Sequence, residues 1–152
     1  MSYKPDGRHT ITAHLVVRGA AEAAAWYVRA LGAEERGRIE LPGGKLMQVE
    51  LWFGDSPVML ADEFPDFGVL SPLSIGGTAT VLHLYSEDVE ALWQRALDAG
   101  AEVRQPLGDA FWGEKYGQIT DPFGHRWGLA QFVREVPHDE VEREARALFG
   151  GS

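Results

Sequence analysis

The chain has 152 residues, no cysteine, and 14 basic against 23 acidic side chains, for a formal charge of −9. That length fits one domain whose core needs no covalent staple, and the absence of thiols excludes a disulfide scaffold, Cys-ligated zinc or iron–sulfur, and a cysteine nucleophile. The acidic balance argues against a nucleic-acid partner, which calls for a basic face, and an apolar content of 45% argues against disorder.

Met1-Ser2-Tyr3-Lys4-Pro5-Asp6-Gly7-Arg8-His9 is polar and lacks an apolar export core, and no run of about 18 apolar residues follows. The expectation is a cytoplasmic protein with no membrane partner. Next, Ile11, Ala13, Leu15 and Val17 alternate with Thr10, Thr12, His14 and Val16, the period of a strand. Ala20 to Leu31 places Ala23, Trp26, Tyr27, Ala30 and Leu31 at helical spacing, with Gly32 positioned as the C-cap. Pro42-Gly43-Gly44 is a hairpin turn; Met47, Val49, Leu51 and Phe53 then alternate with Gln48, Glu50 and Trp52, and Gly54-Asp55-Ser56 turns the chain into Pro57–Ala61. Asp62-Glu63 and Asp66 read as a solvated acidic edge, and Gly76-Gly77 as a flexible joint.

The pattern then repeats. Thr80–Tyr85 is a strand; Val89, Leu92, Trp93, Ala96 and Leu97 form the stripe of a helix ended by Gly100. Strands near Gly117–Thr120 and Arg126–Val133 flank Asp121-Pro122-Phe123-Gly124, with His125 and Arg126 bracing that turn. His14-Leu15 leads to Ala30-Leu31-Gly32-Ala33-Glu34, as His83-Leu84 leads to Ala96-Leu97-Asp98-Ala99-Gly100-Ala101-Glu102, with Trp26 and Trp93 at nearly the same place. Asp139–Phe149 reads as a charged helix, capped by an Asp139/Glu142 box and packed as a lid on the domain edge, with Gly150-Gly151 as a second flexible joint. The single domain 1–152 thus divides into module 1 (about 9–63), a linker (64–78), module 2 (about 79–133) and a C-terminal helix (138–149).

Each sheet must bury one face against its helix, and Ile11/Ala13/Leu15/Val17, Met47/Val49/Leu51/Phe53 and Leu82/Leu84 serve that purpose. The opposite face carries Thr12, His14, Gln48, Glu50, Trp52, Val81, His83 and Tyr85. Two histidines, a carboxylate and two aromatics on one face are unlike ordinary solvated surface. Glu50, in the middle of an apolar pattern, is the candidate acid/base group, since it must be paired or have a raised pKa. A rim carboxylate is its plainer reading, and hydrogen-bonded neutral imidazoles are that of His14 and His83. Trp52, Tyr85 and Trp112 would supply flat walls, and the loop Gly108–Gly117, with Trp112 and Tyr116, a pocket rim. No phosphate-binding glycine loop and no nucleophile elbow is present.

The stretches His14-Leu15-Val16-Val17, Ala25-Trp26-Tyr27, Leu31-Gly32-Ala33, Gly54-Asp55-Ser56 and Asp121-Pro122-Phe123-Gly124-His125-Arg126-Trp127 together resemble the vicinal oxygen chelate superfamily. That superfamily includes glyoxalase I, bleomycin-resistance proteins, fosfomycin-resistance enzymes and extradiol dioxygenases, and the chain is most similar to its small, single-domain glyoxalase-like branch. The resemblance runs from about Thr10 to Phe132 and implies an α+β fold: two βαβββ modules whose curved mixed sheets form a U-shaped cavity, with helices on the outer face, usually in a homodimer. Metal-dependent members carry ligands at positions that fall here on Thr12, near Leu60, on Val81 and on Gly128. None of these is a ligand, so the inherited metal site reads as lost and no cofactor is expected; a displaced divalent site on His14, Glu50 and His83 is the alternative.

The first functional reading is therefore a metal-free protein that binds an aromatic or cationic metabolite or antibiotic in the bleomycin-resistance manner, through His14, Gln48, Trp52, His83, Tyr85, Trp112 and Tyr116. The second is a metal-dependent lyase or isomerase of the glyoxalase kind. The third is a metal-free acid/base enzyme using Glu50 or a histidine.

Overall fold

A computed structural model describes residues 1–150; Gly151, expected to form a joint with Gly150, lies outside the described residues. The first repeat folds as β1 (Ala13–Val17), α1 (Ala20–Leu31), β2 (Glu34–Glu40), β3 (Leu46–Phe53) and β4 (Ser56–Asp62). After a 3₁₀ turn at Pro65–Phe67 and the single-turn helix α2 (Pro72–Ile75) comes the second: β5 (Val81–Tyr85), α3 (Val89–Asp98), β6 (Glu102–Asp109), β7 (Glu114–Thr120) and β8 (Arg126–Phe132). Helix α4 (His138–Phe149) follows. The sheets are open and equivalent in order, β1-β4-β3-β2 and β5-β8-β7-β6. In each, the first strand runs parallel to the last and the other pairs are antiparallel. This is the α+β architecture of two βαβββ units that the resemblance implies.

One apolar core runs through both halves. Helix α1 contributes Ala20, Ala23, Ala24, Tyr27, Ala30 and Leu31 against Val17, Val49, Leu51 and Leu60 of its sheet. Helix α3 sets Val89, Leu92 and Ala96 over Ile119 and Leu129. Each fully buried Leu, Ile or Val contributes about 1.5–3 kcal/mol. The halves are tied by polar contacts as well. Asp121, 4% exposed, accepts hydrogen bonds from the Tyr27 hydroxyl, from Trp127 Nε1 at 2.9 Å, and from the backbone N–H groups of Phe123 and His125 at 2.8 and 3.0 Å. Burial, and then the Asp121 charge, push the Tyr27 phenol well above its ordinary pKa. Trp26 Nε1 donates to the Ala99 carbonyl at 2.7 Å, joining α1 to the end of α3.

Several expectations need correction. β1 begins at Ala13, so Ile11 is not on the buried face and is 87% exposed. Met47 is exposed too: Glu40 pairs with Leu46 and Ile39 with Gln48, leaving Met47 as the extra residue of a bulge, and Leu46 takes the core position instead. Asp62-Glu63 is not a solvated edge. Asp62 is buried and accepts from the backbone N–H groups of Gly19, Ala20 and Leu46 at 3.1, 2.8 and 2.7 Å, which caps α1. Glu63 accepts from Ser71 N at 2.7 Å and faces Arg18 at 3.5 Å. His125 braces its turn through backbone bonds with Asp121, while its side chain reaches away to the Val16 carbonyl at 2.9 Å. Asp139 does not cap α4, because the helix starts one residue earlier behind Pro137, and Glu142 pairs with Arg146 at 2.6 Å. No residue of α4 is buried, so within the described chain it is not a packed lid.

Candidate functional site

The second sheet shows which of its faces is open to a ligand. On β7, Gly117 and Ile119 face α3: Ile119 is fully buried, and a Cβ at Gly117 would lie 2.6 Å from the Trp93 ring. Alternation therefore sends Glu114, Tyr116 and Gln118 to the opposite side. On β5, Leu82 and Leu84 pack against the core, and Val81, His83 and Tyr85 take the open face. β8 lies between these strands and offers Gly128 in register with His83 and Gln118. A Cβ at Gly128 would sit 2.7 Å from Tyr116 Cε1 and Oη, so the glycine is what lets the Tyr116 ring lie across β8. There it stacks on His83 with ring centroids 5.2 Å apart and planes at 17°.

Glu114 is the hub of this face, 7% exposed. Its Oε1 accepts from Trp112 Nε1 at 2.7 Å and lies 3.2 Å from His83 Nε2. Hydrogen bonding to Glu114, then burial and the carboxylate's charge, raise the Tyr85 phenol above its ordinary pKa. The Tyr85 ring lies 4.9 Å from His83, Trp112 meets Tyr116 edge-on at 5.4 Å, and Gln118 Nε2 donates to Tyr116 Oη at 2.7 Å. No Lys or Arg among the described residues forms an ion pair with Glu114. Of the residues singled out by sequence, His83, Tyr85, Trp112 and Tyr116 come together here. Glu114 and Gln118 were missed, although Glu114-Tyr116-Gln118 already has the period of two that would have placed them.

On the first sheet the register sets His14, Met59 and Glu50 in one row across β1, β4 and β3. Val49 and Leu51 are buried toward α1, so Gln48, Glu50 and Trp52 share the open face. The last-strand position expected near Leu60 belongs to Met59, because Leu60 is buried on the helix side. Glu50 is not free: Arg8, from the segment before β1, forms an ion pair with it. Arg8 and Arg36 lie 5.8 and 4.3 Å from the Trp52 ring centre. Gln48 lines a shallow depression of about 200 Å³ with Arg36, Arg38 and Glu50, and His14 stays exposed on the edge strand.

Among the described residues, strands β1 and β5 are each one of the two unpaired edges of their sheet. Between them a groove of about 750 Å³ reaches Phe53 and Trp127, with His83 and Tyr85 on one wall and Ile11 and Ala13 on the other. Among the described residues, no three His, Asp or Glu side chains converge as a metal ion would require.

The family model for the Glyoxalase/Bleomycin resistance protein/Dioxygenase superfamily matches residues 8–129. An uncharacterized protein of Mycobacterium bovis is 46% identical over 135 residues, covering 87% of this chain and 89% of its own. Among solved structures, TioX from Micromonospora sp. ML1 superposes with a TM-score of 0.65 at 23% identity, covering 85% of this chain and all of its own. Protein PA1353 from Pseudomonas aeruginosa does so with a TM-score of 0.67 at 24% identity, covering 83% and 99%. At these identities the two structures show a shared fold.

Proposed function

Because this chain belongs to the glyoxalase/bleomycin resistance protein/dioxygenase superfamily, we propose that it binds a small organic cation on its second sheet, without a metal ion, in a cavity completed by a second copy of itself. One observation carries the reading: Glu114 is a nearly buried carboxylate with no Lys or Arg partner among the described residues, ringed by His83, Tyr85, Trp112 and Tyr116. A buried carboxylate is costly unless a positive charge or several hydrogen bonds offset it. Aromatic faces around such a carboxylate suit an ammonium, guanidinium or cationic heteroaromatic group, which gains both ion-pair and cation–π energy. The net charge of −9 also draws cations toward the protein.

The second copy is supported by what a single chain leaves uncovered. Edge strands β1 and β5 are unpaired among the described residues, both polar faces are open, and Ile11, Tyr85, Phe132, Val133, Leu148 and Phe149 are exposed. Metal-dependent chemistry has less support. The row of His83 continues through Gly128 and Gln118, and that of His14 through Met59 to a Glu50 already held by Arg8. A carboxylate at position 128 would displace Tyr116. These residues do not fit a hard divalent ion. An acid/base enzyme is the second reading, favoured by the His83–Glu114 contact, in which a carboxylate orients an imidazole as it would a general base.

The test is calorimetric titration with benzyltrimethylammonium and, separately, with uncharged benzyl alcohol. Saturable binding of the cation with much weaker binding of the alcohol supports the reading; equal binding of the two refutes it.

A further inference from the structure

Among the described residues, the segment before β1 has no strand pairing and is held to the body of the protein mainly by side chains. Arg8 pairs with Glu50, Gly7 lies beside the Trp52 indole, where an added Cβ would make an ordinary contact at 4.0 Å, and His9 Nε2 lies 3.4 Å from the Asp55 carbonyl. Met1, Tyr3 and Ile11 along the same segment are exposed. Trp52 Nε1 is shielded from solvent and has no hydrogen-bond partner among the described residues. Arg36 also lies over the indole, but its carboxylate partner is Glu34, so among the described residues the arm brings the only cation paired with Glu50.

We propose that Glu50 and Trp52 form a second cation-binding site, for a guanidinium or amidinium group on a planar ring, and that Arg8 occupies it as a built-in, displaceable ligand. This second site rests on the carboxylate-and-aromatic reading of Glu114 and carries it to the first sheet, where the molecule's own guanidinium is bound in the manner asked of a ligand. A planar cation fits this place because it satisfies both partners at once. Its N–H groups pair with the carboxylate as Arg8 does, and its flat face lies against the indole. The orphaned indole N–H marks the arm as an incomplete filler, since a ligand bearing an acceptor beside its cation satisfies that group as well. Displacing the arm costs little else, because no backbone ladder is broken. A ligand must compete with Arg8 at the high effective concentration of a tethered group, so removing Arg8 strengthens binding here.

The experiment uses full-length protein carrying 5-fluorotryptophan, with benzamidine as the probe, and follows each indole by fluorine NMR; Trp52→Phe and Trp112→Phe assign the two signals. With Glu114→Gln in place, so that the second-sheet site is silent, Arg8→Ala and Arg8→Met are predicted to let benzamidine shift the Trp52 signal at a concentration about tenfold lower than with Arg8 present. Adding Glu50→Gln to Arg8→Ala is predicted to abolish that shift. A Trp52 signal that titrates identically with and without Arg8, or that still responds without the Glu50 charge, overturns the inference. The Trp112 signal, followed in protein with Glu114 intact, reports on the second-sheet reading separately, so failure of one is distinguishable from failure of the other.

Discussion

The carboxylate of Glu114 on β7 reaches across the intervening strand β8 to within 3.2 Å of the His83 imidazole on β5. Two strand spacings amount to roughly 10 Å, so both side chains extend toward each other over β8. By register Glu114 lies opposite Phe132 and His83 opposite Gly128, and the Tyr116 ring stacks on that imidazole in the space that the glycine leaves. The site is therefore built as much by an absent side chain as by those present.

Gly128→Ala tests that dependence. The new Cβ would meet Tyr116 at 2.7 Å, forcing the ring off His83 or bending β8. The expected outcome is a loss of about 1–3 kcal/mol of stability in thermal or denaturant unfolding, together with weakened binding of a cationic aromatic probe. Unchanged stability and binding would show that Tyr116 has other room to occupy.

Much of this architecture can be read from the sequence because both helices and the strands beneath them have one buried and one open face. Ala20–Leu31 and the alternation at β1, β3, β5 and β8 leave a periodic trace. The edge strands β2 and β6 leave none: every residue of β2 is exposed, and Glu34, Glu35, Arg36, Arg38 and Glu40 carry no apolar alternate. β7 is half hidden for a different reason. Gly117 replaces the apolar residue that would have marked its buried face, because Trp93 fills that space, and so Glu114 reads as part of a loop. At Met47 a single bulged residue shifts the frame. The Arg8–Glu50 pair joins an irregular arm to a distant strand, and no spacing in the sequence announces it.

Asp62→Ala removes three hydrogen bonds from buried or half-buried backbone N–H groups and the acidic cap of α1. The expected destabilisation is about 3 kcal/mol, read as a lowered denaturation midpoint. A loss below about 0.5 kcal/mol, the scale of ordinary surface substitutions, would contradict the capping role.

Acid stability follows from Glu63. Hydrogen bonds from Ser74 and Ser71 hold its carboxyl at about 2, below the usual 4.5. The folded pKa is the lower one, so its contribution is fully present above the unfolded value and is lost as pH falls from about 4.5 toward 2. In scanning calorimetry across that range, Glu63→Gln is expected to lower the melting temperature at neutral pH and to flatten part of the acid decline. An identical slope for both proteins would remove Glu63 as a cause.

Tyr85 offers a spectroscopic reading of the Glu114 charge. Its phenol is raised above the ordinary value of 10.0 by Glu114, so in ultraviolet titration its tyrosinate forms later than that of a free tyrosine. In Glu114→Gln the band is expected to move back toward lower pH, with Tyr85→Phe identifying which band belongs to it. An unmoved band would mean that the carboxylate does not act on this phenol.

The most direct measurement is the affinity of benzyltrimethylammonium for the parent chain and for Glu114→Gln, by calorimetry at neutral pH and low salt. Glutamine keeps the size and the capacity to accept from Trp112 but removes the charge. The predicted result is a loss of at least about tenfold in affinity with the fold intact, equivalent to about 1.4 kcal/mol. Equal affinity in the two proteins would contradict the assignment of Glu114 as the counter-charge of a bound cation.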